Sequence, residues 1–236
     1  MAEIDKPYLY KDLTTLTCWA KWLLRASLAV SVISVISGIM EYRLLQAIAA
    51  GQFDSDAEMT AAAQANDLRQ GIIGVAYIVL LLATSVVVLV WIYGANRNAH
   101  ALGAAGMRFT PGWAVGWYFI PIFNLWKPYH AMKEIWKASA DPGNWQAQPS
   151  SSLLPWWWFL WIVSCIVANA MFRYTLKAEE LDELINASGI SIASDALDVP
   201  LDLVLIAIIN RIWRMQAGHK AATLPPEGAT EPAPAS

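Results

Sequence analysis

From Gly71 to Tyr93 the chain reads GIIGVAYIVLLLATSVVVLVWIY, without one charged residue. As a helix this run is about 34 Å long, enough to cross a hydrocarbon core of about 30 Å. Three further apolar runs lie near residues 19–40, 153–172 and 197–215. Charged residues make up only 15% of the sequence and hydrophobic ones 57%, against about 25% and about 45–50% in soluble domains. The excess sits in the long runs, as in a membrane protein. The fold class expected is an all-α integral membrane protein, with four transmembrane helices as two hairpins.

Each run carries its own markers. In the first, Ser27, Ser31, Ser34 and Gly38 recur at steps of four, three and four, a seam of small residues for close helix approach. The 153–172 run opens with Pro155 and the triplet Trp156, Trp157 and Trp158, which marks one interface, and Arg173 marks the other. In the 197–215 run Asp198 and Pro200 read as N-cap and early-helix residues, with Arg211 and Arg214 at the far end. Cys18 and Cys165 form no CxxC pair and read as packed thiols. Residues 1–18 are expected to form a polar, cytoplasmic N-terminal arm, with no cleavable leader recognised in it, and residues 19–217 the membrane domain. The Pro- and Ala-rich stretch 218–236 reads as a disordered tail.

The remaining apolar run, Phe109 to Trp126, is bracketed by Pro111 and Pro121 and followed by Pro128. Thr110 can cap a short helix with Pro111 at its first position, and Pro121 should end it. From Pro111 to Trp126 the chain reaches about 24 Å if helical, short of a full crossing. Next, Tyr129, Met132, Ile135 and Trp136 share a face from which Lys133, Glu134 and Lys137 point away, which suggests an amphipathic helix on the membrane surface. Residues 109–139 are therefore expected to form a Pro-broken, aromatic re-entrant or interfacial element.

Charge agrees with that layout. With four spans, Lys6, Lys11, Lys21, Arg25, Arg97, Arg108, Lys127, Lys133, Lys137, Arg211, Arg214 and Lys220 share one side. Only Arg43, Arg69, Arg173 and Lys177 lie opposite, among most of the acids. Basic connections stay in the cytoplasm, so both termini should be cytoplasmic in a plasma-membrane protein. A full crossing by 109–126 would erase the bias. Asn96-Arg97 and Asn210-Arg211 hint at a parallel internal repeat.

The stretch RFTPGWAVGWYFIPIFNLWKPYHAMKEIWKAS, Arg108 to Ser139, resembles the bacterial membrane family called domain of unknown function 4328. The resemblance rests on the Pro, the A-V-G-W core, F-I-P, N-L-W-x-P-Y and the E-x-W helix, with His130 where many relatives are expected to carry Gln. It implies a multi-pass bacterial membrane protein and no activity.

Among the residues, no Gly-rich phosphate loop, G-x-S-x-G elbow or HExxH motif appears, so no catalytic, cofactor-binding or metal-ligating residue is assigned. His100, His130 and Glu134 could approach one metal ion, zinc or iron, as in a metal-dependent membrane enzyme. The plainer reading leaves His130 at the wet edge of its helix and pairs Glu134 with a neighbouring Lys. The best candidate surface is the aromatic element. Trp113, Trp117, Phe123, Asn124, Trp126, Lys127, Tyr129 and Lys133 combine rings with basic groups, which suits a membrane lipid headgroup or a membrane-protein partner, a second copy included. Pro111, Gly116, Pro121 and Pro128 would shape its backbone, with Asn124 satisfying groups freed at Pro121. A net charge of −3 without a Lys/Arg run gives no footprint for nucleic acid. The reading is a non-enzymatic envelope protein that binds a lipid or protein partner. The broken third element and the possible repeat leave a small transporter or channel as the alternative.

Overall fold

A computed structural model describes residues 8–177 and 180–222 of the chain. In chain order the helices are α1 (Thr14–Ala49), α2 (Asp56–Ala101), α3 (Pro111–Gly116), α4 (Lys127–Ala140), α5 (Leu153–Thr175) and α6 (Leu181–Ala222). Among the described residues there is no strand.

Three of these helices, α1, α2 and α5, are long and apolar enough to cross a membrane. Their side chains say the same. Along α2, Ile72, Val75, Ile78, Val79, Leu82 and Val86 all stand exposed. A continuous apolar face of that size is a liability in water and the ordinary surface of a protein in lipid.

The helices outrun the apolar runs. At about 1.5 Å per residue α2 is about 69 Å long and α6 about 63 Å. The polar stretch 56–70, which precedes the apolar run, is the first third of α2. Ser55 caps it, accepting the Glu58 N–H at 3.2 Å, and only residues 50–55 connect it to α1. The second difference is at Asp198 and Pro200. They lie in the middle of α6 and do not begin a helix. A proline there removes one backbone bond and crowds the preceding turn. The Leu- and Ile-rich sequence after it carries the helix through. α6 also continues over Gly218–Ala222, where the tail was expected to start. The rest of that tail, and residues 1–7 of the N-terminal arm, lie outside the described residues.

α1 packs between α2 and α6, and α5 packs on α6. The small-residue seam makes this possible. Ser31, Ser34 and Gly38 are buried, and a Cβ on Gly38 would lie 2.8 Å from Cγ1 of Ile192 on α6. At this end Glu41 accepts from Asn66 Nδ2 at 3.3 Å and Gln70 Nε2 at 2.9 Å, while Arg69 Nε donates to Ser37 Oγ at 2.9 Å.

The apolar core sits at the opposite end. There Leu24, Trp91, Ile92, Met132, Ile135, Leu154, Ile208, Ile209 and Ile212 bury one another. Hydrogen bonds pin the pieces. Trp91 Nε1 donates to Thr17 Oγ1 at 2.9 Å, and Gln216 Nε2 reaches both Ala95 O at 2.8 Å and Ser139 Oγ at 2.9 Å. Asn98 brackets the backbone of Lys11, accepting its N–H at 2.9 Å and donating to its carbonyl at 2.7 Å. The start of α1, the ends of α2 and α6, and α4 thus meet at one end of the bundle.

α4 is held in this core. Ala131, Met132 and Ile135 are buried by the ends of α2 and α6, so the apolar face expected to lie on a membrane surface is covered by protein. Both cysteines are free, and both are exposed on outward helix faces, where packed thiols were expected.

Candidate functional site

The side of α4 that the core does not use carries Lys127, His130, Glu134 and Lys137, at steps of three, four and three. Helical periodicity lines these up on one face. α3 and its flanks fold across from them. Thr110 caps α3 by accepting the Trp113 N–H at 3.4 Å, and Pro111 stands at the start of the helix, as the sequence implied. The α3 rise puts Trp113 and Trp117 one turn apart with ring centroids 4.8 Å from each other. Between α3 and α4 opens a groove of about 710 Å³, lined by Arg108, Trp113, Trp117, Trp126, Lys127, His130, Lys133, Glu134 and Lys137, with Phe109, Trp145 and Gln146.

Rings and cations interleave in it. Lys127 Nζ lies 5.3 Å from the Trp117 centroid and 5.9 Å from that of Phe109, within cation–π range. Phe123 continues the stack, 5.1 Å from Trp117 and 5.5 Å from Trp126. At the far end Trp145 is buried and donates from Nε1 to Ala105 O at 2.8 Å, while Lys137 Nζ donates to Gln146 O at 3.2 Å.

Four basic side chains face one carboxylate, and that carboxylate is already engaged. Glu134 is buried and accepts the backbone N–H of Arg108 at 3.1 Å and of Phe109 at 3.3 Å. Burial pushes its carboxyl above the usual glutamate value. The two N–H donors and the charges of Arg108 and His100 pull the other way. The Arg108 guanidinium is only 4.0 Å from Glu134 and its side chain is 86% exposed, so this ion pair adds little. Glu134 thus works as a clamp on the 108–109 backbone, not as the partner of a neighbouring Lys.

Beyond the rings the chain makes a tight apolar turn. Ile122 has φ 70 and ψ −55, and the Phe123 N–H bonds Pro121 O at 2.8 Å, the geometry of a γ-turn with positive φ. A β-branched residue held there stores about 1–3 kcal/mol of strain, which the surroundings must offset. Trp158 on α5 helps by donating Nε1 to Leu125 O at 2.9 Å. The turn presents Phe119 and Ile122 outward, 71% and 69% exposed. None of the pieces between Phe109 and Trp126 is long enough to span; the longest helix is α3, about 9 Å.

The expected residues divide. Trp113, Trp117, Trp126, Lys127 and Lys133 line the groove, and Phe123 braces it. Tyr129 does not. It packs on the core toward Trp158, with centroids 6.4 Å apart. Asn124 is outside it too, and the carbonyl freed near Pro121, that of Ile120, is taken by the Asn124 backbone N–H at 3.0 Å. Pro111, Gly116, Pro121 and Pro128 stand at the joints of α3, the γ-turn and α4. Arg108 and Trp145 were missed. No periodic pattern links them to α4; the Glu134 clamp and the 141–143 turn bring them in. His100, His130 and Glu134 are not gathered into one ligand set: His100 Nε2 lies 3.2 Å from Phe109 O and His130 Nδ1 2.8 Å from Trp126 O. Among the described residues no group of three or more His, Cys, Asp and Glu could hold an ion.

The sequence model of one family, described as domain of unknown function (DUF4328), matches residues 54–214, which include the whole groove. No curated protein and no solved structure matches the chain.

Proposed function

The chain belongs to the DUF4328 family, whose description names no activity, and from that premise we propose that it is a non-enzymatic membrane protein of the cell envelope that holds the headgroup of an anionic lipid in the groove between α3 and α4. The observation that carries this is the juxtaposition of Arg108, Lys127, Lys133 and Lys137 with an indole wall, beside the exposed apolar turn at Ile122. An anionic amphiphile needs both halves. The basic groove takes the charge, and the turn shares the hydrocarbon with its chains.

On this reading α1, α2, α5 and α6 cross the plasma membrane, and 109–139 enters and leaves on the cytoplasmic side together with both termini. Two things support it. The bonds Asn98–Lys11 and Gln216–Ser139 join the N-terminal arm, the end of α6 and α4 at one end of the bundle. That end also collects most of the Lys and Arg, as cytoplasmic segments do.

The test is lipid content after purification from membranes in a mild detergent. Native mass spectrometry of the wild type should find phosphatidylglycerol retained. Lys127→Glu and Trp117→Ala should both reduce its retention while the protein stays monodisperse. Unchanged retention in both variants would overturn the proposal.

A further inference from the structure

A second cavity, of about 370 Å³, lies between α1, α2 and α6 and shares no residue with the groove. α2 lines it from Tyr77 to Ile92, inside the charge-free run. Its walls are mostly aliphatic, yet α6 turns two carboxyl groups into it. Asp198 accepts the Tyr77 hydroxyl proton at 2.9 Å. Asp202, one turn further on, makes no hydrogen bond to a described residue. A third polar group is independent of these. Ser31 of α1, 2% exposed, lines the cavity with a hydroxyl that also has no partner among the described residues. No Lys or Arg lines the space among the described residues.

Acidic groups at this depth are unfavourable unless something of opposite charge or good hydrogen-bonding capacity meets them. Among the described residues that line the cavity, Tyr77 meets Asp198 and no cation does. A bare metal ion is a poor candidate, since no group of three ligating side chains forms here among the described residues. The volume is instead that of a small-molecule site, which typically spans about 300–1,000 Å³. At one end Tyr118 and Trp161 pack edge to face, 6.5 Å apart, and offer ring surfaces that attract a delocalised cation.

We propose that this cavity binds an organic cation with an apolar body, of the quaternary ammonium or phosphonium class, its charge facing Asp198 and Asp202 and its body lying on the aliphatic walls. The occupant reaches the site from the lipid phase, since Leu81 and Phe119 at its margin are exposed. The inference stands apart from the groove.

The experiment is equilibrium binding of radiolabelled tetraphenylphosphonium to the full chain in detergent micelles. Binding should saturate. The isosteric pair Asp198→Asn with Asp202→Asn should weaken it about tenfold or more, the loss of a close charge contact. Ser85→Phe, which fills the cavity from an exposed position on α2, should abolish it without touching a carboxyl group. Lys127→Glu, in the groove, should leave it unchanged. Absence of saturable binding to the wild type, or binding by the Asn pair and the Phe variant as tight as by the wild type, would overturn the proposal.

Discussion

The Lys127 ammonium lies 5.3 Å from the centroid of the Trp117 ring. Both line the groove, so the indole face meets the cation at its wall. Such a contact contributes about 0.5–2 kcal/mol, depending on how dry it is. Trp117→Phe keeps an aromatic face and should preserve most anionic-lipid retention, whereas Trp117→Leu should lose it. Equal retention by the two, read by native mass spectrometry, would mean that bulk and not the ring positions Lys127.

Glu134 makes a different prediction. Its carboxylate satisfies two backbone donors, one of them on buried Phe109. Glu134→Ala leaves them without that acceptor, at a cost of about 1–3 kcal/mol. The melting temperature should fall by several degrees, and loss of the 108–109 clamp should widen the groove and weaken lipid retention. Thermal melts of variant and wild type in the same detergent check the first part.

The same group sets a pH dependence. Burial raises the native Glu134 value above the ordinary 4.5. The folded protein therefore holds this proton more tightly than the unfolded chain. By linkage, its contribution is fully present below the unfolded value and is lost as pH rises through the native one. Melting temperature should decline over that interval above pH 4.5, and Glu134→Gln should flatten the decline. An identical slope in the Gln variant would contradict the assignment.

The α1–α6 seam is tested by a pair of glycines. A side chain at Gly38 would collide with Ile192, while Gly74 has no neighbour within 4 Å of a Cβ. Gly38→Leu should destabilise the bundle by about 1–3 kcal/mol, as overpacking does. Gly74→Leu, on a lipid-facing stretch, should be neutral or better. Similar melts for both would show that the seam is not tightly packed.

Topology gives another check. Cys18 and Cys165 are exposed and free, so both are replaced before a single reporter is added. Gln146, at the rim of the groove, is exposed. A Gln146→Cys reporter should react with a membrane-impermeant maleimide only after the cells are opened. Labelling of intact cells would place the groove outside and remove the cytoplasmic-leaflet argument.

The all-helical class and the apolar helices α1, α2 and α5 could be read from residues alone, because a charge-free run such as Gly71–Tyr93 has few ways to satisfy its backbone. The Thr110–Pro111 helix start was equally plain. The length of α2 was not. Its Ser55-x-x-Glu58 capping signal is present, but the stretch behind it is polar and carries no apolar run. Pro200 misled for a physical reason: proline marks a helix start only where the preceding turn ends, and here α6 tolerates it internally. Read as one helix, α6 places Asp195, Asp198 and Asp202 at steps of three and four, a single acidic face hidden when the helix is taken to start at Asp198. In the site, Trp117 and Lys127 were legible from composition. Arg108, Trp145 and the turning away of Tyr129 depend on how α4 rotates against α2 and α6, which no local pattern encodes.

The most direct measurement of the central claim is lipid competition on the delipidated wild type. Phosphatidylglycerol and phosphatidylcholine of identical chains are offered together at equal concentration, and the bound species are weighed by native mass spectrometry. The groove predicts a clear preference for phosphatidylglycerol that weakens as salt is raised, since exposed charges are screened. Equal occupancy by the two lipids at low salt would contradict it.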